Sequence, residues 1–123
     1  MRIRTLLATT AAAVMMTAGA HAQTVGVTDT SIKIGNTNPY SGPASVYSVI
    51  GKTISAYFKA VNAAGGVTSA DGKTRTVEFI SLDDGYSPPR TVEQVRKLVE
   101  QEKVAFLFQT LGTPTNSAIH RYV

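Results

Sequence analysis

Asp83 and Asp84 are the only adjacent acids in the chain, and side by side they invite a reading as metal ligands or as a phosphoacceptor cluster. A divalent metal needs several convergent oxygen ligands, and no other acid falls in the loops expected around this pair. Acids at a strand end more commonly form turns or solvated caps. His120 is the one histidine beyond the first 22 residues, and the chain has no cysteine. With neither a partner histidine nor a thiolate, no zinc site and no acid–base relay can be assembled. Ser41, Ser45, Ser48 and Ser87 lack a nearby base, so nucleophilic catalysis has no support. The expectation is a protein that is not an enzyme and holds no metal and no cofactor. What the chain does carry is a vocabulary for binding. Tyr40, Tyr47 and Tyr86 can stack or hydrogen-bond, and Ser41-Gly42 and Gly112-Thr113 can present backbone N–H groups. A helix opening at Thr113-Pro114 would aim the positive end of its dipole at a carboxylate or other anion.

These residues must be positioned by the elements around them. Residues 31–36 alternate in character and suit a strand, ended by the turn-forming cluster 38–43. From Val46 the period changes: Val46, Val49, Ile50, Ile54, Tyr57, Phe58 and Val61 recur at helical spacing, and Gly65-Gly66 is a natural stop. Lys52 and Lys59 fall between those positions and should face water. Asp71-Gly72 signals a tight turn before a second strand over 76–83. Ser87 and Pro88 fit an N-cap and first helical position, with Thr91 and Gln94 as a capping-box alternative. Val92, Val95, Leu98 and Val99 then form an apolar face. The apolar run 104–108 reads as a strand buried on both faces. Thr113-Pro114 repeats the cap-plus-proline device, and Ala118, Ile119 and Tyr122 begin a third helix.

The order β-α-β-α-β-α implies an α/β fold with a parallel sheet and right-handed crossovers. Ligands of such sheets gather beyond the carboxyl ends of the strands. That edge holds the loops 39–47, 83–89 and 109–114, so the binding vocabulary and the topology agree on one place.

Charge and length limit the rest. Met1 to Arg4 is a short positive region, an apolar stretch follows to Ala20, and Ala20-His21-Ala22 is a small-x-small cleavage site, the pattern of a secretory signal peptide over residues 1–22. The stretch is shorter than the roughly 20 apolar residues that span a bilayer, so no stable membrane anchor is expected. Arg2 and Arg4 belong to the leader and all eight acids lie beyond it, leaving ten bases against eight acids and a formal charge of +2 rather than +4. No basic stripe remains, which argues against a nucleic-acid partner. The 101 residues after the leader suffice for one small domain but not for two lobes with a cleft between them.

The motifs resemble a known family. The opening Gly26-Val27-Thr28-Asp29-Thr30-Ser31-Ile32-Lys33-Ile34-Gly35, then Ser41-Gly42-Pro43, Asn62-Ala63-Ala64-Gly65-Gly66-Val67, Asp83-Asp84-Gly85 and Leu111-Gly112-Thr113-Pro114-Thr115-Asn116, are similar to the solute-binding proteins of branched-chain amino-acid ABC transporters. The resemblance implies a type I periplasmic binding fold: two doubly wound lobes that close on a small solute and deliver it to a membrane permease. Residues 23–123 would then be about half of the N-terminal lobe, with the second lobe absent. The resemblance also implies that Tyr47, after the Ser-Gly-Pro turn, contacts the solute and that Gly112 and Thr113 bind its carboxylate; Ser41, Gly42 and Tyr86 join them as candidate solute-binding residues on the loop reading alone. Amino-acid binders commonly place a serine where Gly112 stands, so leucine-type specificity is not implied. Leucine binders bridge two cysteines at positions matching Tyr86 and Leu111, and both are replaced here.

The leading expectation is therefore a periplasmic receptor for a small organic solute (an amino acid, amide or carboxylate), with ABC permease subunits as partners and too little of the cleft in this chain to bind tightly alone. On its own such a half-sheet would be poorly soluble or molten. Two other classes fit parts of the pattern: a flavodoxin-like signalling domain, or an exported metal-dependent enzyme, either one using Asp83 and Asp84.

Overall fold

The computed structural model describes residues 24–123. The leader assigned to residues 1–22 lies outside the described residues. Strand β1 spans Ser31–Asn38, β2 Val67–Thr68, β3 Thr74–Asp83 and β4 Phe106–Leu107; helix α1 spans Ser48–Ala63, α2 Pro88–Arg96 and α3 Thr113–Ile119. A single 3-10 turn, Ser45–Tyr47, leads into α1, and a π-helical turn, Lys97–Gln101, extends α2. None of the described helices is long and apolar enough to cross a membrane.

The sheet order is β2-β3-β1-β4. β1 pairs in parallel with β3 along its whole length, Ser31 opposite Thr76 through Asn38 opposite Asp83, and in parallel with β4 at Ile34 and Gly35. The parallel α/β architecture expected from the order of elements is therefore present, with β1 in the middle. The short β2 was not expected. It pairs antiparallel with Thr74 and Arg75 across the Asp71-Gly72 turn. Arg75 is buried there, donating two guanidinium bonds to Asp71 at 3.0 and 2.7 Å and a third to the Thr28 carbonyl at 2.5 Å. That arginine ties the lead-in before β1 to the hairpin.

Strand alternation divides the sheet into two faces. Gly35 lies on the face covered by α2, close to Leu98, Val104 and Leu107, and Val95 and Leu98 are fully buried beside it. Ile34, Val77 and Phe79 lie on the other face under α1, where Phe58 packs against Phe79 and Phe108 with ring centroids 5.2 and 5.8 Å apart. Towards the carboxyl ends of the strands this second face turns polar. Asn36 and Asn38 are fully buried there, and Thr37 is fully buried on the α2 face.

Three expectations need correction. Val46, Val49 and Tyr57 do not join the packed face of α1; they are 73, 59 and 63 % exposed. The helix instead seats Gly51 against Asn38 and Tyr40, a contact that leaves no room for a side chain and rolls Val49 and Tyr57 outward. The run 104–108 is not buried on both faces. β4 is an edge strand of two residues, with Leu107 turned to the α2 face while Phe106 and Phe108 stay 49 and 37 % exposed, because α1 lies over β1 and β3. Finally, Gly112 and not Thr113 occupies the N-cap of α3, with Thr113 and Pro114 as its first two residues.

Candidate functional site

The three loops at the carboxyl edge are held by buried polar side chains that the strands themselves present. Asp83, the last residue of β3, is the hub. Its Oδ1 accepts from the amides of Tyr40 at 2.9 Å, Ser41 at 3.1 Å and Gly85 at 3.0 Å, and its Oδ2 from the Ser41 hydroxyl at 2.5 Å and Arg90 at 3.0 Å. Burial acts to raise the Asp83 pKa, but the bonds from the Ser41 hydroxyl and from the Gly85, Ser41 and Tyr40 amides outweigh it, and the carboxyl sits below its ordinary value. Asp84 is fully buried, accepting from the Tyr86 amide at 2.9 Å and the Thr91 hydroxyl at 3.1 Å. Thus Asp84, rather than a Ser87 hydroxyl, ties the loop to the first turn of α2, since Ser87 makes no side-chain cap bond. Both carboxylates are committed to donors of the protein itself. Among the described residues no group of three or more His, Asp or Glu is arranged to hold a metal.

The third loop is fastened by Asn36 in β1. Its Nδ2 donates to the carbonyls of Phe108 at 2.9 Å and Gln109 at 2.7 Å, while its Oδ1 accepts from Asn38 at 2.8 Å and Ser81 at 2.7 Å. Asn116 closes the other side, accepting from the Thr110 hydroxyl at 2.5 Å and donating to its carbonyl at 3.0 Å. Sequence reasoning passed over Asn36 and Asn38. Their signal was available: two amides at core-facing positions of a central strand must be satisfied by something nearby, and loop carbonyls are the usual partners.

Five of the six candidate site residues come together here. Gly42 and Gly85 are in near contact, joining the first loop to the second. Tyr86, at a left-handed φ of 60°, leans its ring over Gly112, at φ 100°, joining the second loop to the third. A β-carbon on Gly112 would lie 2.5 Å from Tyr86 Cε2 and 2.9 Å from Thr115 Oγ1. The Tyr86–Gly112 contact thus links the second loop to the third without a covalent bond. Thr113 is exposed beside Gly112, and both line an open hollow of about 630 Å³ with Asn116, Ser117 and His120. Tyr47 stands apart at the start of α1, 54 % exposed, its amide closing the 3-10 turn on the Ala44 carbonyl. Ser41 gives its one hydroxyl proton to Asp83, so what it keeps for a solute is an acceptor.

An open parallel α/β sheet whose strand-end loops form one continuous edge is the class defined by this arrangement. The chain belongs to the periplasmic binding protein family, whose model matches residues 31–123, and its fold is part of a type I lobe of that family. Among solved structures, it is similar to a fatty acid ABC transporter substrate-binding protein from Thermomonospora curvata, at 30% identity and a TM-score of 0.67 over 81% of this chain and 24% of that one. It is also similar to the branched-chain amino acid transporter substrate-binding protein LivJ from Streptococcus pneumoniae in complex with isoleucine, at 27% identity and a TM-score of 0.61 over 72% of this chain and 24% of that one. An ABC transporter solute-binding protein from R. palustris in complex with benzoate matches at 28% identity and a TM-score of 0.57, over 75% and 24%. The chain therefore spans about a quarter of the length of these structures. No curated protein matches it.

Proposed function

We propose that this chain forms one wall of the solute cleft of an ABC importer's binding protein, exported to the periplasm by residues 1–22. The observation that carries the reading is the joined edge, in which the Tyr40 and Ser41 bonds to Asp83 and the Tyr86–Gly112 contact make a single surface of three loops at the carboxyl ends of parallel strands. Such edges are where open α/β sheets bind ligands. In this reading Tyr47 and Tyr86 supply stacking faces, Gly42, Gly112 and Thr113 supply backbone N–H groups and a hydroxyl, and Ser41 supplies an acceptor. The chemistry is that of binding, since the two adjacent aspartates serve the loops. A small organic solute with a carboxylate suits the donors near Gly112. The similar structures are those of a fatty acid transporter's binding protein and of complexes with isoleucine and with benzoate, a set that keeps the carboxylate while varying the apolar body.

The test is calorimetric titration of the full-length protein, expressed from its own reading frame, with isoleucine, benzoate and octanoate. Saturable binding of at least one of the three is expected, weakened about tenfold or more by Tyr47→Ala, the loss of one buried aromatic contact. Absence of heat with all three would sink the carboxylate assignment, and binding indifferent to both Tyr47→Ala and Tyr86→Ala would sink the assigned wall.

A further inference from the structure

No acidic residue occurs between Asp29 and Asp71, while Lys33, Lys52 and Lys59 do. Lys33 turns to the α2 face, where it meets Glu78 at 3.9 Å and the Glu102 carbonyl at 3.3 Å. That alternation sends the one acid in the middle of β3 away from α1. Asp83 does share the α1 face, but Arg90 pairs with it at 3.0 Å. Among the described residues the four ion pairs engage Lys33, Lys73, Arg75 and Arg90; Lys52, Lys59, Arg96, Lys97, Lys103 and Arg121 lie outside them, and of these Lys52 and Lys59 are the two on α1.

The two lysines flank a groove of about 470 Å³ between α1 and β3, lined also by Tyr40, Ser55, Phe79 and Ser81. Beside it runs an unfilled strand edge. β2 pairs with β3 only at Thr74 and Arg75, and Asn62 of α1 then occupies the next outward position, accepting from the Val77 amide and donating to its carbonyl at 2.8 Å each. Beyond Val77 no strand of the described residues pairs with that side of β3. Edges of this kind accept an added strand. The floor is polar: Ser81 donates its proton to Asn36, so the Tyr40 hydroxyl, 2.5 Å from Ser81, donates to Ser81.

We propose that the groove between α1 and the outer edge of β3 docks an extended acidic segment of a partner protein, with two carboxylates four residues apart, on one face of the strand, pairing with Lys52 and Lys59. The register follows from geometry. Seven residues of α-helix advance about 10 Å; four residues of extended chain advance about 13 Å and bring the side chain back to the same face, and the flexible lysine stems take up the difference. The segment's backbone continues the sheet beside Phe79 and Ser81, where Asn62 stops imitating a strand, and its apolar side chains cover Phe79. Charge complementarity selects the partner, because α1 and its flanks present cations and hydroxyls with no acid to repel a carboxylate. The concave wall and strand edge favour a peptide over a flat lipid surface.

The test uses the full-length protein and a fluorescein-labelled nonapeptide of valine and threonine carrying two glutamates four residues apart. Anisotropy should show saturable binding that weakens with salt, and that weakens about tenfold in the Lys52→Gln/Lys59→Gln double variant. Both lysines are exposed, so the variant should fold, and Lys97→Gln/Lys103→Gln should bind like wild type. In amide exchange the peptide should protect Phe79 and Ser81, a readout that neither a free anion nor a membrane would move. Peptide binding unchanged in the double variant, or no protection of those amides, would overturn the proposal. So would phosphatidylglycerol vesicles binding through Lys52 and Lys59 while the peptide does not. Solute titration in the cleft is independent of each of these outcomes.

Discussion

Five donors converge on the Asp83 carboxylate, and the residue is three-quarters covered, with 26 % of its side chain exposed. Because its folded pKa is depressed below the unfolded value of about 3.9, the stability it contributes is complete above that value and is lost as pH falls through the folded pKa. Acid unfolding followed by circular dichroism should thus lose part of its cooperative dependence below about pH 4 in Asp83→Ala. At neutral pH the same variant should unfold in urea with a loss of about 1–3 kcal/mol, the usual cost of stranding partly buried donors. The aspartate pair was legible in the sequence as a turn-former, but its distribution of labour was not: one acid gathers loops, and the other is buried against Thr91. Gly112 is a second residue-scale case. Its φ of 100° and the ring of Tyr86 both oppose a side chain, so Gly112→Ser should cost about 1–3 kcal/mol. Combining it with Tyr86→Ala should recover only the part due to the clash, since the backbone strain stays. A double-mutant cycle that shows no coupling between the two positions would refute the contact.

Among the elements, α1 shows where sequence patterns succeed and stop. Its period and its glycine stop were readable, and the helix ends at Ala63 before Gly65 and Gly66. Its rotation was not, because spacing names every apolar position without saying which neighbours are small enough to admit the helix. Gly51 decides that, and Gly51→Ala is expected to cost about 1–3 kcal/mol by overpacking against Tyr40 and Asn38. Chemical denaturation measures it, and a neutral result would mean that the roll of α1 is set elsewhere. Asn62 matters at the other end of the helix. Removing its amide by Asn62→Ala exposes the Val77 amide and carbonyl, so hydrogen exchange at Val77 should quicken while Ile34 stays protected. The β4 run misled for a related reason. A continuous apolar string signals burial, but which strand stands at a sheet's edge depends on contacts far away in sequence.

At the scale of the whole molecule, the described sheet puts β1 between β3 and β4, so every loop of the candidate site is fastened to one central strand or to its neighbour. The fastening is asymmetric. Asp83 holds the first and second loops, Asn36 and Asn116 hold the third, and Tyr86 spans the gap between them. The surface is therefore formed in advance of any ligand, and the chain presents it from one side only. Enclosing pockets bury about 70–90% of a small ligand, whereas a single wall leaves its far side in water. Isolated as residues 23–123, the chain should bind isoleucine, benzoate or octanoate no better than about millimolar, the range left when most contacts are missing. It should also self-associate through the exposed Phe106 and Phe108 beside the unpaired edge of β4. Phe106→Lys places a charge on that edge without touching the loops, so sedimentation should shift towards monomer while the solute titration stays unchanged. If the isolated chain is monomeric and binds one of these solutes at micromolar concentration, the wall is a complete site and the reading of a shared cleft is wrong.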